Sequence, residues 1–261
     1  MRSSSPARRH AAVLTAFFLV CHSAALLADE IVVMTSGAFT AAYLELAPAY
    51  EHAVKDKLVT ATTTIGTGAE SIPSRLQRGE PADVVIVATD ALEALIKAGS
   101  VRADSRVDLA RSAIAMAVRS GAPKPDIRSV EALTRTLLEA KSVAYSASVS
   151  GDYLTNELFP RLGVYEELKA TGMRIDRERV GAVVARGDAE IGFQQISELL
   201  PIAGIDIVGP LPPAVQRVTV FAAGIAANSR HPEAARAFIR FLTSPEAAGV
   251  VVKSGLELVD R

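Results

Sequence analysis

Three short stretches of this chain put hydroxyls beside glycine where a strand-like run gives way to a helical one. They are Ser36-Gly37 in "IVVMTSGAF", Thr67-Gly68 in "TTTIGTGAES", and Ser148, Ser150 and Gly151 in "AYSASVSGDY". Such a junction offers hydroxyls and free backbone N–H groups together, a combination that receives anions. The alternative is that each hydroxyl caps the helix behind it. Three such turns in corresponding places fit an anion site better than three independent caps. Proton-handling groups flank two of them: Glu70 follows the second turn, and Asp152 and Tyr153 follow the third. A carboxylate beside an anion-binding turn repels the ligand unless it has a task or a cation partner. Glu70 therefore reads as a general base, as a partner for Arg75, or as a group facing solvent. Arg75 and Arg78 stand three apart in "IPSRLQRGE", on one face of a short helix, and Arg75 is the better pocket candidate.

Other chemistries find no support. The single cysteine is Cys21, and of four histidines only His52 and His231 lie beyond the first 28 residues, far apart in sequence. Disulfides, cysteine-ligated metal, a zinc site and a serine–histidine triad are accordingly not expected, and neither metal nor cofactor is called for. With 28 basic against 29 acidic residues the chain carries a formal charge of −1, which is no footprint for nucleic acid. Residues 1–28 read as an export leader. Arg2, Arg8 and Arg9 precede the apolar "AAVLTAFFLV", which is too short to span a bilayer comfortably, and "SAALLA" ends at Ala28 as a cleavage site. The protein is expected in the periplasm.

The elements that must position these groups alternate. "EIVVMTS", "LVTATTTIG" and "ADVVIVAT" read as strands, separated by helices over Phe39–Lys57 and Ser71–Arg78 and followed by one over Asp90–Ala98. "SAIAMAVR" opens a second rhythm: a helix over Ser129–Leu138 capped by Ser129, the strand "KSVAYS", helices over Tyr153–Leu162 and Glu178–Arg186, then "AEIGFQQ" and "IDIVGPLPPAVQ". "VTVFAAGIAANS" is a further strand, and two helices around a Thr-Ser-Pro stop close the chain. Strand–helix alternation predicts an α/β class with mainly parallel sheets. With no linker-like segment, two lobes are expected to interleave.

The segments "IVVMTSGAFTAAYLELAPAYE", "IPSRLQRGEPADVVIVATD", "RGDAEIGFQQISEL" and "HPEAARAFIRFLTSPEAAGVVVKSGL" resemble, in that order, periplasmic solute-binding proteins. The likeness covers nearly all of residues 30–258 and is strongest to the molybdate-binding branch of the type 2 fold. It implies two α/β lobes, each a mostly parallel sheet flanked by helices, with the ligand cleft at the hinge. Lobe 1 would comprise residues 29–110 and 219–261, and lobe 2 residues 111–218. The molybdate-binding branch surrounds its oxyanion with hydroxyls, backbone amides and one tyrosine. Laid on that pattern, Gln195 stands where the tyrosine is expected, Ser150 where an alanine is, and Arg177 where a small apolar residue is. Arginine at the wall changes the ligand class, because a planar guanidinium matches a carboxylate in a two-pronged fork.

The "TSGAFTAAY" start, the "IPSRLQRGEPADV" run and the missing tyrosine are closer to a branch with the same fold, the periplasmic aconitate isomerases. That resemblance implies interconversion of trans- and cis-aconitate by allylic proton transfer on a tricarboxylate. Ser36, Gly37, Thr67, Gly68, Arg75, Ser148, Ser150, Arg177 and Gln195 would bind the substrate. Glu70, Asp152 or Tyr153 would carry the proton. The alternative is a transporter-linked receptor for molybdate or another small oxyanion or carboxylate, with a membrane transporter as its partner.

Overall fold

The computed structural model describes residues 29–61, 63 and 68–259; the expected leader and Thr67 lie outside them. The first half of the chain builds β1 (Glu30–Thr35), α1 (Thr40–Val54), β2 (Lys57–Ala61), α2 (Ile72–Gln77), β3 (Val84–Ala88) and α3 (Thr89–Lys97). A long strand follows, β4 (Val107–Arg119), then α4 (Val130–Glu139), β5 (Val143–Ser146) and α5 (Val149–Tyr153). A wide turn of π-helix (Leu154–Leu158) leads to α6 (Phe159–Leu162), α7 (Tyr165–Thr171), β6 (Gly172–Ile175) and α8 (Val180–Arg186). The chain ends with β7 (Ile191–Gln195), α9 (Ile196–Leu199), β8 (Ile205–Pro210), β9 (Val218–Ile225), α10 (Pro232–Leu242), α11 (Pro245–Lys253) and β10 (Glu257–Leu258).

These strands form one curled sheet in the order β2-β1-β3-β9-β4-β7-β5-β6, with β8 and β10 also pairing with β4. The parallel units expected from sequence are present twice, β2-β1-β3 and β6-β5-β7. Antiparallel β9 and β4 join them. Val107–Ala113 of β4 pair with β9, while Ile114–Val118 pair with β7, so this one strand runs from one half into the other.

Each half has its own core. Ile31, Val33, Phe39, Tyr43, Tyr50 and Ile86 pack with Phe221 and with Ala235, Phe238, Ile239 and Leu242, which recur on one face of α10. Phe238 meets the edges of Tyr43 and Tyr50 at centroid distances of 6.1 and 4.9 Å. In the other half Ile114, Met116, Leu133, Leu158, Phe159 and Phe193 form the centre. Asp83 of "GEPADV" has a structural task. Asp83, 4% exposed, accepts bonds from the Val32 and His231 N–H groups and the Ser229 hydroxyl, fastening β1 to the segment before α10. Burial works against its charge, but these donors outweigh it and hold the carboxyl below its usual range.

The elements differ from the sequence reading in several places. The first helix stops at Val54 rather than Lys57, because Lys55 turns left-handed at φ 67°. The helix expected to begin at Tyr153 begins at Val149, which places Tyr153 a full turn inside it. Helix α7 and strand β6 were not anticipated.

Candidate functional site

In each half, the chain leaves a middle strand for a neighbour on one side and later adds one on the other: β1 lies between β2 and β3, β5 between β6 and β7. Ligands of open α/β sheets bind beyond the carboxyl ends of strands at such a switch point. Ser36-Gly37 follows β1, and Ser148–Gly151 follow β5. Two of the three turns read from the sequence thus occupy equivalent places in the two halves.

The first turn is built around a forced glycine. Gly37 has φ +76°, and a Cβ there would stand 2.8 Å from the Phe221 ring. Ser36 is extended and donates its N–H to Ile86 O at 3.1 Å, yet its hydroxyl makes no cap bond. The capping alternative therefore fails at Ser36. The second-half turn is a knot of hydroxyls: Ser146 Oγ lies 2.8 Å from Ser148 Oγ and 3.0 Å from Ser150 Oγ. Gly151 is again obligatory, since a Cβ would fall 1.6 Å from the Ser146 carbonyl oxygen. Each turn also touches the opposite half. The one-turn helix Gly37–Phe39 packs on α9, and Val149, between Ser148 and Ser150, packs against the first core.

The neighbouring loops complete the walls. After β2, Gly68 is exposed, and the loop is clamped by Arg78, which donates to Ala69 O at 2.6 Å. Glu70 points to solvent, 63% exposed, with Arg78 at 3.8 Å. Arg75 is not its partner: Arg75 Nε donates to Glu80 Oε2 at 2.6 Å, and Arg78 bonds Glu80 as well. These two guanidinia, Arg75 foremost, hold the Glu80 carboxyl below its usual range. Arg75 is thus corrected from a ligand-facing group to one committed to Glu80. After β6, Ala147 N–H donates to Ile175 O at 2.7 Å, setting the loop of Arg177 beside the serine knot. Arg177 is exposed and forms no ion pair among the described residues.

Three further candidates are turned elsewhere. Tyr153 is buried and donates its hydroxyl to Val215 O at 2.7 Å, and burial raises its pKa. Its proton fastens α5 to the segment leading into β9, a structural task in place of the proton handling read from sequence. Asp152 leans out to Arg174 at 3.1 Å, both about half exposed. Gln195, 2% exposed, faces the joining strands. With its amide oriented so that both ends find partners, nitrogen donates to Ser112 Oγ at 2.9 Å and Ala113 O at 3.2 Å. Its oxygen then accepts from Thr219 Oγ1 at 3.0 Å. Gln195 latches β7 to β4 and β9 and does not reach for a ligand.

A network that the sequence reading missed lies one residue away. Gln194, fully buried, accepts from Val180 N–H at 2.9 Å and donates to Glu198 Oε1 at 3.1 Å. Glu198 is 4% exposed, and burial pushes its carboxyl up to about 7 against the pull of Arg179 and the Gln194 bond. Adjacent "QQ" on opposite faces of a strand was the available signal, since two polar residues inside an apolar run must each find a partner.

Two α/β halves joined by antiparallel strands, with matching hydroxyl–glycine turns after equivalent strands, define a two-lobed ligand-binding protein. A profile for bacterial extracellular solute-binding proteins matches residues 31–257, and the chain belongs to that family. It is 49% identical over 228 residues to an aconitate isomerase from Pseudomonas sp, covering 87% of each chain. Among solved structures it resembles the periplasmic molybdate-binding protein of Azotobacter vinelandii, with a TM-score of 0.71 and 20% identity, covering 88% of this chain and 100% of that one. The sulfate-binding protein of Mycobacterium tuberculosis gives 0.69 and 18%, covering 89% and 88%. These two likenesses establish the fold.

Proposed function

We propose that this protein is a periplasmic isomerase that interconverts trans- and cis-aconitate. The observation that carries the reading is the 49% identity to the Pseudomonas aconitate isomerase along nearly the whole described chain. A carboxylate ligand is supported by Arg177, exposed on the loop that follows β6 next to the serine turn and without an ion pair among the described residues. In the proposed cleft Ser36, Ser148 and the backbone of the two glycine turns meet the remaining carboxylates. The lobes are taken as residues 29–110 with 219–261 and residues 111–218, hinged near Ser112 and Thr219. Export uses the leader 1–28, cleaved after Ala28.

The reaction moves one proton. A base removes it from the substrate CH₂, the electron pair shifts through the adjacent carbon, and the proton returns to the former alkene CH. The double bond thereby migrates with no change in composition. Charge developing on the conjugated carboxylate is met by N–H groups, hydroxyls and Arg177. Glu70 is the proposed proton carrier: it follows the β2 turn, and its nearest cation is 3.8 Å away, whereas Asp152 and the Tyr153 hydroxyl are engaged at 3.1 and 2.7 Å. Incubating the protein with trans-aconitate and separating products by chromatography should show cis-aconitate; binding without any conversion would overturn the reading. One feature favours the receptor alternative. The buried walls offer donors while Glu70 stands in solvent, as a protein that merely holds an oxyanion for a transporter requires. Stabilisation by micromolar molybdate and none by carboxylates in a thermal titration would decide for it.

A further inference from the structure

We propose that Glu198 is a positioning residue for the loop that carries Arg177: acting through Gln194, its carboxyl holds the N-terminus of α8 and so fixes where the guanidinium stands. The inference rests on the carboxylate-binding role given to Arg177 above. The chain of contacts is short and buried. Glu198 Oε1 accepts from Gln194 Nε2, and Gln194 Oε1 accepts from the N–H of Val180, three residues after Arg177. The loop is closed from the other side by Arg179, whose Nη1 donates to the Glu198 carbonyl oxygen at 3.3 Å. That carbonyl lies near the end of a four-residue helix, where intrahelical partners run out. The same helix packs on the Gly37–Phe39 turn, so one element touches the Ser36 side of the cleft and steadies the Arg177 side.

The charges around Glu198 are few. Arg179, the residue before α8, is its cation, while β7 offers neutral Gln194. The turn Gly37–Phe39 has no ionisable side chain, and β4 meets this helix with Ala115 and Ala117. Glu45 of α1 and Lys253 of α11 line the groove outside Arg179 and Ser197 and pair with each other at 2.9 Å. Arg179 is thus the cation that answers Glu198. Protonated, Glu198 leaves the positive potential of the Arg177 loop intact; ionised, it adds a negative charge behind an anion site. Anion affinity should therefore fall as pH rises through its titration near 7.

Two variants test this. Glu198→Ala breaks the chain, and Glu198→Gln keeps an acceptor for Gln194 but removes the titration. Amide hydrogen exchange across residues 176–181 should quicken about tenfold in Glu198→Ala and stay near wild type in Glu198→Gln. Calorimetry with trans-aconitate should show affinity about tenfold weaker in Glu198→Ala and restored in Glu198→Gln, which also loses the decline between about pH 6 and 8. Unchanged exchange in Glu198→Ala overturns the proposal whatever the ligand proves to be. If that variant does not fold, Glu198→Gln decides: loss of the pH decline supports the role, and its persistence refutes it. A wild-type protein that binds trans-aconitate without converting it refutes the isomerase and leaves this inference standing.

Discussion

Replacing Glu198 by glutamine keeps the shape of the side chain and removes its charge, which makes the cost of that buried carboxyl measurable. In the folded protein the group titrates near 7, against an ordinary value of 4.5. Below the lower value both folded and unfolded chains hold the proton. Between the two values the unfolded chain releases it while the folded chain keeps it, so stability falls as pH rises through that window. It then stays low above 7. The full gap corresponds to about 3 kcal/mol, of which about 2–3 kcal/mol is lost between about pH 5 and pH 8. Asp83 and Asp126 have depressed values and produce slopes at lower pH, and these are common to both proteins. Urea denaturation of wild type and Glu198→Gln at the two pH values isolates the effect as a difference of differences. The variant should gain on wild type by about 2–3 kcal/mol on going from the acid to the alkaline condition. A gain under about half a kcal/mol would show that the carboxyl is well solvated, and the reasoning from its burial would fall.

Other expected outcomes follow from single contacts. Arg177→Ala should weaken trans-aconitate binding by about 2–5 kcal/mol, read by calorimetry, because a substrate carboxylate is left unpaired. Glu70→Gln should lower turnover by roughly a hundredfold while leaving affinity similar. Tyr153→Phe removes the bond to Val215 O and should cost about 1–3 kcal/mol of stability in denaturation while turnover holds, since its phenol serves structure. Gly151→Ala drives a methyl into the Ser146 carbonyl and should cost about 3 kcal/mol or abolish soluble expression.

The α/β rhythm was legible because its strands are unbroken apolar runs such as "VVIVA", buried on both faces, and its helices carry apolar residues at helical spacing. Two hydroxyl–glycine turns were legible for a local reason: Gly37 takes a left-handed φ of +76°, and Gly151 lies against the carbonyl of nearby Ser146. What stayed hidden depends on partners distant in sequence. β6 has only four residues, with Met173 and Ile175 as its apolar pair, too short a run to announce a strand without β5 beside it. Tyr153 looked like a proton handler next to the serine turn, yet its orientation is set by Val215, 62 residues away. Gln195 and Gln194 look alike in sequence, and only the pleat sends one to the joining strands and the other to α8. Glu198 gave no signal at all, because nothing local announces that a glutamate will be buried.

In the proposed reaction this cleft moves a proton between two carbons of a bound tricarboxylate. Wild-type protein incubated with trans-aconitate in deuterated water tests it directly, with proton resonance following the CH₂ and alkene CH positions. Cis-aconitate should form at a rate proportional to enzyme, with deuterium entering carbon positions of the substrate pool. Trans-aconitate that binds and returns unchanged, with no carbon-bound deuterium and no cis isomer, would contradict it.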